Sequence, residues 1–235
     1  MPGHAYSAPA VRTRPMVERA RWPGPRGALG VAGLCLAAAA LLWPLAELVP
    51  PLQLRDAVLL HDFTLLAHPR IASIANDLLH LLDPLLFVLW GIALLAVAVA
   101  RERPRTAFAV ACVMGLAPLT AETLKPLLAH SHQSFDGVSI GAASWPSGHS
   151  TAALTLGLCA VLVSPPRLRR LTAVLAAVFA LAVGVSLLML AWHMPSDVLG
   201  GYLVASFWAA IAVAALRGAN RRWPPRRAAA AGRTR

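Results

Sequence analysis

Leu171–Trp192 reads LTAVLAAVFALAVGVSLLMLAW, an apolar run without a single charged residue. A helix gains ~1.5 Å per residue, so a run of this length crosses the ~30 Å hydrocarbon core of a bilayer. Pro165-Pro166 and the arginines at 167, 169 and 170 stand before it, and the polar corner His193-Met194-Pro195-Ser196-Asp197 stands after it. The stretch predicts a membrane helix with one basic end and one chemically mixed end.

Similar runs cover 28–49, 83–100, 106–128, 147–164 and 195–216. Together they predict an all-α fold, a six-transmembrane-helix bundle. Residues 50–82 mix leucines with Arg55, Asp56, His61, Asp62, His68, Arg70, Asp77 and His80. A segment this charged does not cross a bilayer, so short interfacial helices are expected between the first and second spans. Residues 1–27 and 217–235 read as basic tails around a membrane domain at 28–216. Composition agrees. Hydrophobic residues make up 58% of the chain and charged ones 13%, against ~25% charged in soluble proteins.

The net charge is +11. Of the 21 lysines and arginines, 18 lie in the two tails and in the loops 101–105 and 165–170. Only Arg55, Arg70 and Lys125 fall on the other side. The positive-inside rule then predicts a multi-pass cell-membrane protein with both termini cytoplasmic, and turns 129–146 and the corner at 193–197 outward. The basic clusters carry no interleaved aromatics of the kind that stack bases, so no nucleic-acid partner is expected. Cys35, Cys112 and Cys159 lie inside apolar runs and imply no disulfide framework.

Three parts of the chain bring polar groups to the outward side. Trp145-Pro146-Ser147-Gly148-His149-Ser150 stands directly before the fourth run. Ser147 can cap that helix, Gly148 lets a ligand approach the backbone, and the free amides of the first turn form an anion site beside His149. An ordinary helix cap has the same residues. His193 and Asp197 are four apart and share a helical face. An aspartate bonded to one ring nitrogen leaves the other as a lone-pair donor; Asp197 as a plain cap of the sixth helix is the alternative. Lys125, near a helix end, can simply snorkel to the interface, with Glu122 one turn earlier as an i,i+3 partner. His130 and His132, with His61, His68 and His80, leave open a metal or haem protein, although a lone His-x-His is a weak metal pattern.

These residues resemble the type 2 phosphatidic acid phosphatase superfamily, with its motifs Lys-x6-Arg-Pro, Pro-Ser-Gly-His and Ser-Arg-x5-His-x3-Asp. The second is complete at Pro146-Ser147-Gly148-His149. The third is present as Ser186-Leu187, then His193 and Asp197 at the family spacing, and the first begins at Lys125. The first motif's Arg-Pro falls on His132-Gln133, and the third motif's arginine falls on Leu187. The resemblance implies a phosphatase acting on a lipid-linked phosphate or pyrophosphate. His193 would be the nucleophile that forms a phosphohistidine, Asp197 its orienting partner and His149 the acid for the leaving group. Lys125, Ser147, Gly148 and His132 would hold phosphoryl oxygens, with His132 supplying charge only when protonated. The resemblance implies no metal and no cofactor. The two missing arginines leave a second reading open: a catalytically impaired relative that binds lipid head groups or a partner protein.

Overall fold

Prolines place most of the helix starts. A computed structural model describes residues 24–223, and among these it contains eight helices. The expected tails before 24 and after 223 lie outside the described residues. The helices are α1 (Pro25–Leu48), α2 (Pro50–Thr64), α3 (Pro69–His80), α4 (Pro84–Ala100), α5 (Pro104–Leu127), α6 (Gly148–Val163), α7 (Arg169–Met189) and α8 (Pro195–Arg222). Proline stands in the first turn of α1 to α5 and of α8. There its missing amide costs nothing and its fixed φ suits the helix. Helix α6 starts differently: the Ser147 hydroxyl accepts from the Ser150 amide at 3.4 Å.

Helix α8 is the centre of the bundle. Half of its apolar stretch is buried inside the protein, against 17% for α1. It packs along α1, α6 and α5, while α6 also packs on α7 and α3 packs on α7. Small residues set the closest approach. A β-carbon at Gly201 would stand 2.6 Å from the carbonyl oxygen of Ser147, the residue that caps α6. Large apolar side chains such as Leu34, Leu85, Phe108 and Leu181 remain exposed on the outside. Such an apolar exterior suits lipid rather than water.

The bundle has two chemically different ends. Arg101, Arg103, Arg105, Arg169 and Arg217 surround a cavity of about 820 Å³ at one. Arg105 donates there to Asn220 Oδ1 at 2.9 Å and to the Trp223 carbonyl at 2.6 Å. That tie continues α8 through Arg222, past the expected span end at 216. The opposite end gathers the last turns of α1, α5 and α7, the first turns of α6 and α8, and the loop 128–147.

Four helices, α1, α5, α7 and α8, are long and apolar enough to cross a membrane alone. Helices α3 and α4 pass the same test as a pair bent by 56°. Helix α6 has 16 residues, about 24 Å of rise. The architecture is that of a multi-pass membrane protein with four to five candidate spans, fewer than the six expected. The difference lies in α4 and α6, which fall close to the expected bounds of 83–100 and 147–164 but, at 17 and 16 residues, are short for a lone span. The segment 50–82 does form two short helices, α2 and α3.

Candidate active site

The corner between α7 and α8 is built by backbone geometry first. Ala191 has a φ of 52°, and the Trp192 amide returns to the Leu187 carbonyl at 2.9 Å, which ends α7. Pro195 then starts α8. Asp197, in the first turn of α8, is 0% exposed. Its Oδ2 accepts from the Met194 amide at 2.9 Å and lies 3.3 Å from His193 Nδ1. Both roles weighed for Asp197 therefore hold at once: it caps α8 and it holds the imidazole.

The corner of the second motif docks on this first turn. The Ser147 amide donates to the Asp197 carbonyl at 2.9 Å. The Ser147 carbonyl in turn accepts from the Thr151 hydroxyl at 2.8 Å. Trp145-Pro146 is a cis peptide bond. The His149 ring meets Trp192 edge-on, with centroids 5.7 Å apart, and both His193 and Lys125 lie close enough to act on its charge.

Lys125 reaches the site from the end of α5. Its Nζ is 2.6 Å from Glu122 Oε1. A β-carbon at Gly148 would stand 2.7 Å from that same oxygen and 3.3 Å from Nζ. The ion pair thus lies over the first turn of α6, where the amides would meet an anion. His193, Asp197, His149, Lys125, Ser147 and Gly148 all gather at this one end of the bundle.

His132 is placed differently from the expectation that it grips phosphate. Its side chain is 4% exposed, with Nδ1 3.2 Å from Glu47 Oε2 and Nε2 2.8 Å from Ser144 Oγ. Burial pushes its pKa below the ordinary imidazole range; Asp197 pulls it up, while His130 and His193 push it further down. Burial thus disfavours the charged form of His132 that could stand in for an arginine. Leu187 is 0% exposed, within an apolar cluster that includes Leu60, Leu79, Val183 and Met194.

Two residues of the site escaped the sequence reading. Glu47, in the last turn of α1, is 2% exposed. Asp56 on α2 accepts from the Ser196 hydroxyl at 2.5 Å and from the Ser196 amide, so it caps α8 from another helix. Burial raises the Asp56 pKa to about 6; the bonds from Ser196 oppose this and the charge of Asp197 adds to it. A glutamate inside an apolar run is costly and was a usable signal. Asp56 offered none, because it sits among many other charges. The histidines of the metal or haem alternative do not converge: His61 pairs with Asp136 at 3.1 Å and His80 with Asp83 at 3.1 Å. Among the described residues, three metal-ligating groups meet instead at Glu47, His132 and Asp197.

Membrane helices around a histidine–aspartate corner and a capped, glycine-containing helix start define the class. The sequence matches the PAP2 superfamily model over residues 77–221, and the chain belongs to that superfamily. The fold is similar to the crystal structure of the first transmembrane PAP2 type phosphatidylglycerolphosphate phosphatase from Bacillus subtilis. The TM-score is 0.62 at 20% identity, covering 85% of this chain and 98% of that one. No curated protein is close enough in sequence to count as a match.

Proposed function

We propose that this chain is a membrane phosphatase that hydrolyses a lipid-linked phosphate or pyrophosphate through a phosphohistidine. The observation that carries the reading is Asp197 Oδ2 at 3.3 Å from His193 Nδ1, with His149 beside them. Asp197 takes the Nδ1 proton as a hydrogen bond and leaves Nε2 with a free lone pair. Nε2 attacks phosphorus and the bond to the leaving oxygen breaks. His149, protonated, passes its proton to that oxygen. Water activated by His149 then releases phosphate and restores His193. Asp197 stabilises the positive imidazole in both steps. Lys125, Ser147 and the amides that start at Gly148 take the phosphoryl oxygens.

The cell-membrane setting follows from the charge pattern. The arginine-rich end of the bundle is read as cytoplasmic and the site as extracytoplasmic. Six helices, α1 and α4 to α8, are read as running between the two ends, with α4 and α6 as short spans and α2 and α3 as interfacial. The domain at 28–216 then carries the site, with cytoplasmic basic tails on either side. The buried Leu187 and the carboxylate over Gly148 favour a second reading, a relative that binds lipid head groups without turnover.

The test is phosphate release by purified protein from phosphatidate, phosphatidylglycerophosphate and a polyprenyl diphosphate, across acidic to neutral pH. Turnover on one of these, abolished by His193→Ala, is expected. Equal rates for both proteins on all three would end the phosphatase reading. Binding of phospholipid by both, without turnover, would establish the second.

A further inference from the structure

Of the meeting of Glu47, His132 and Asp197, the phosphatase chemistry above uses only Oδ2 of Asp197. The three come from α1, the loop 128–147 and α8. One donor atom of each lies within 4.8 Å of the other two. Neither oxygen of Glu47 has a hydrogen-bond partner, and neither does Oδ1 of Asp197. Glu47 is 2% and Asp197 0% exposed, so bulk solvent does not reach these oxygens. Two dry carboxylates at this separation repel, and an uncompensated buried charge costs several kcal/mol. A positive centre between them removes the conflict.

The geometry of His132 says what kind. Ser144 Oγ stands 2.8 Å from Nε2 and can accept the ring proton there, which turns a bare Nδ1 lone pair toward Glu47. An outer partner of this sort is what fixes a metal-binding histidine. Nδ1 is 3.2 Å from Oε2, yet Oε2 makes no aligned hydrogen bond. Two ligand atoms at ~2.0–2.1 Å from one tetrahedral zinc stand roughly 3.3 Å apart. A cation off the Nδ1–Oε2 line accounts for both the separation and the misalignment.

We propose that Glu47, His132 and Oδ1 of Asp197 form a binding site for a divalent cation of the zinc class. One imidazole and two carboxylates suit zinc, and a set with one nitrogen and so few oxygens does not suit calcium. The cation neutralises the two carboxylates and pins the outer oxygen of Asp197 while Oδ2 stays on His193. The site rests on the cluster alone; only the consequence for His193 rests on the proposed phosphatase.

The experiment is metal analysis of the full chain, purified in detergent without a polyhistidine tag. The wild type is expected to hold about one zinc per chain, and Glu47→Gln and His132→Gln less than about a tenth. His61→Ala, outside the cluster, should keep its metal. Zinc added to chelator-stripped wild type should raise the melting temperature. If the two variants do not fold, cobalt added to stripped wild type decides: tetrahedral visible bands support the site and their absence overturns it. Wild type with neither bound metal nor a thermal response to zinc overturns it, and so does metal retained by both variants. A metal-bound protein that releases no phosphate would sink the proposed function and leave this site standing. A metal-free active enzyme would do the reverse.

Discussion

Glu122 Oε1 holds the Lys125 ammonium at 2.6 Å directly over Gly148, so a carboxylate occupies the place where an anion would meet the α6 amides. An incoming phosphate has to share Lys125 or displace Glu122. Glu122→Gln removes that competition. Inhibition by inorganic phosphate should strengthen by roughly 3- to 10-fold in this variant, and weaken by about 10-fold in Lys125→Ala. Unchanged inhibition constants in both would remove Lys125 from the anion site.

Asp197→Asn separates the two jobs of that side chain. The amide oxygen of asparagine still accepts from Met194, so the melting temperature should fall by only a few degrees. Asparagine cannot stabilise a positive imidazole, so kcat should drop about 10³-fold. Parallel thermal and kinetic measurements check this; equal, small losses in both would reduce Asp197 to a cap.

Two glycine substitutions should behave oppositely. The β-carbon of Gly148→Ala meets the flexible ends of Glu122 and Lys125, which can move. The fold should survive while kcat/KM falls about 10-fold. In Gly201→Ala the β-carbon meets the Ser147 carbonyl at 2.6 Å and Thr151 Oγ1 at 2.9 Å. Backbone cannot step aside cheaply, so on the order of 2–3 kcal/mol of stability should be lost. Melting curves beside kinetics distinguish the two.

Leu187→Arg restores the superfamily residue at its position, yet the side chain there is 0% exposed in an apolar cluster. An arginine without a partner at that place should cost about 3–5 kcal/mol. The expected result is a poorly folded protein with no gain in phosphate release. Full folding with higher turnover would mean that Leu187 borders the phosphate.

Asp56 titrates at about 6, above the ordinary carboxylate. A raised value means that the folded state binds the proton more tightly than the unfolded chain. The contribution of this group to stability is therefore complete below about pH 4 and is lost as pH rises through 6. Asp56→Asn removes the charge and keeps an acceptor for Ser196. Its melting temperature should exceed that of wild type at pH 8, with the gap closing by about pH 4. A gap that widens on acidification would reverse the assignment.

Local signals explain what could be read in advance. The capped start at Ser147, the Glu122–Lys125 pair and the His193–Asp197 face depend on spacings of three and four, and each is found as its spacing required. Leu171–Trp192 is helical through Met189 for the same reason. Longer-range placement was not readable. Nothing in the order of residues says that Asp56 reaches the start of α8, or that His132 turns to Glu47. Those contacts depend on how α1 and α2 lie against α8. The bounds of α4 and α6 were legible to within a residue at each end, because Pro84 and Ser147 mark their starts.

The superfamily match begins at residue 77, yet Asp56, which bonds Ser196, and Glu47, which approaches Asp197, both lie before it. A gene trimmed to the matched stretch would encode Ser196 without its acceptor and Asp197 without its neighbour. Swapping front portions between relatives would fail in the same way, unless the donor brought carboxylates to both positions. In this chain a stretch outside the matched range forms the floor beneath the first turn of α8.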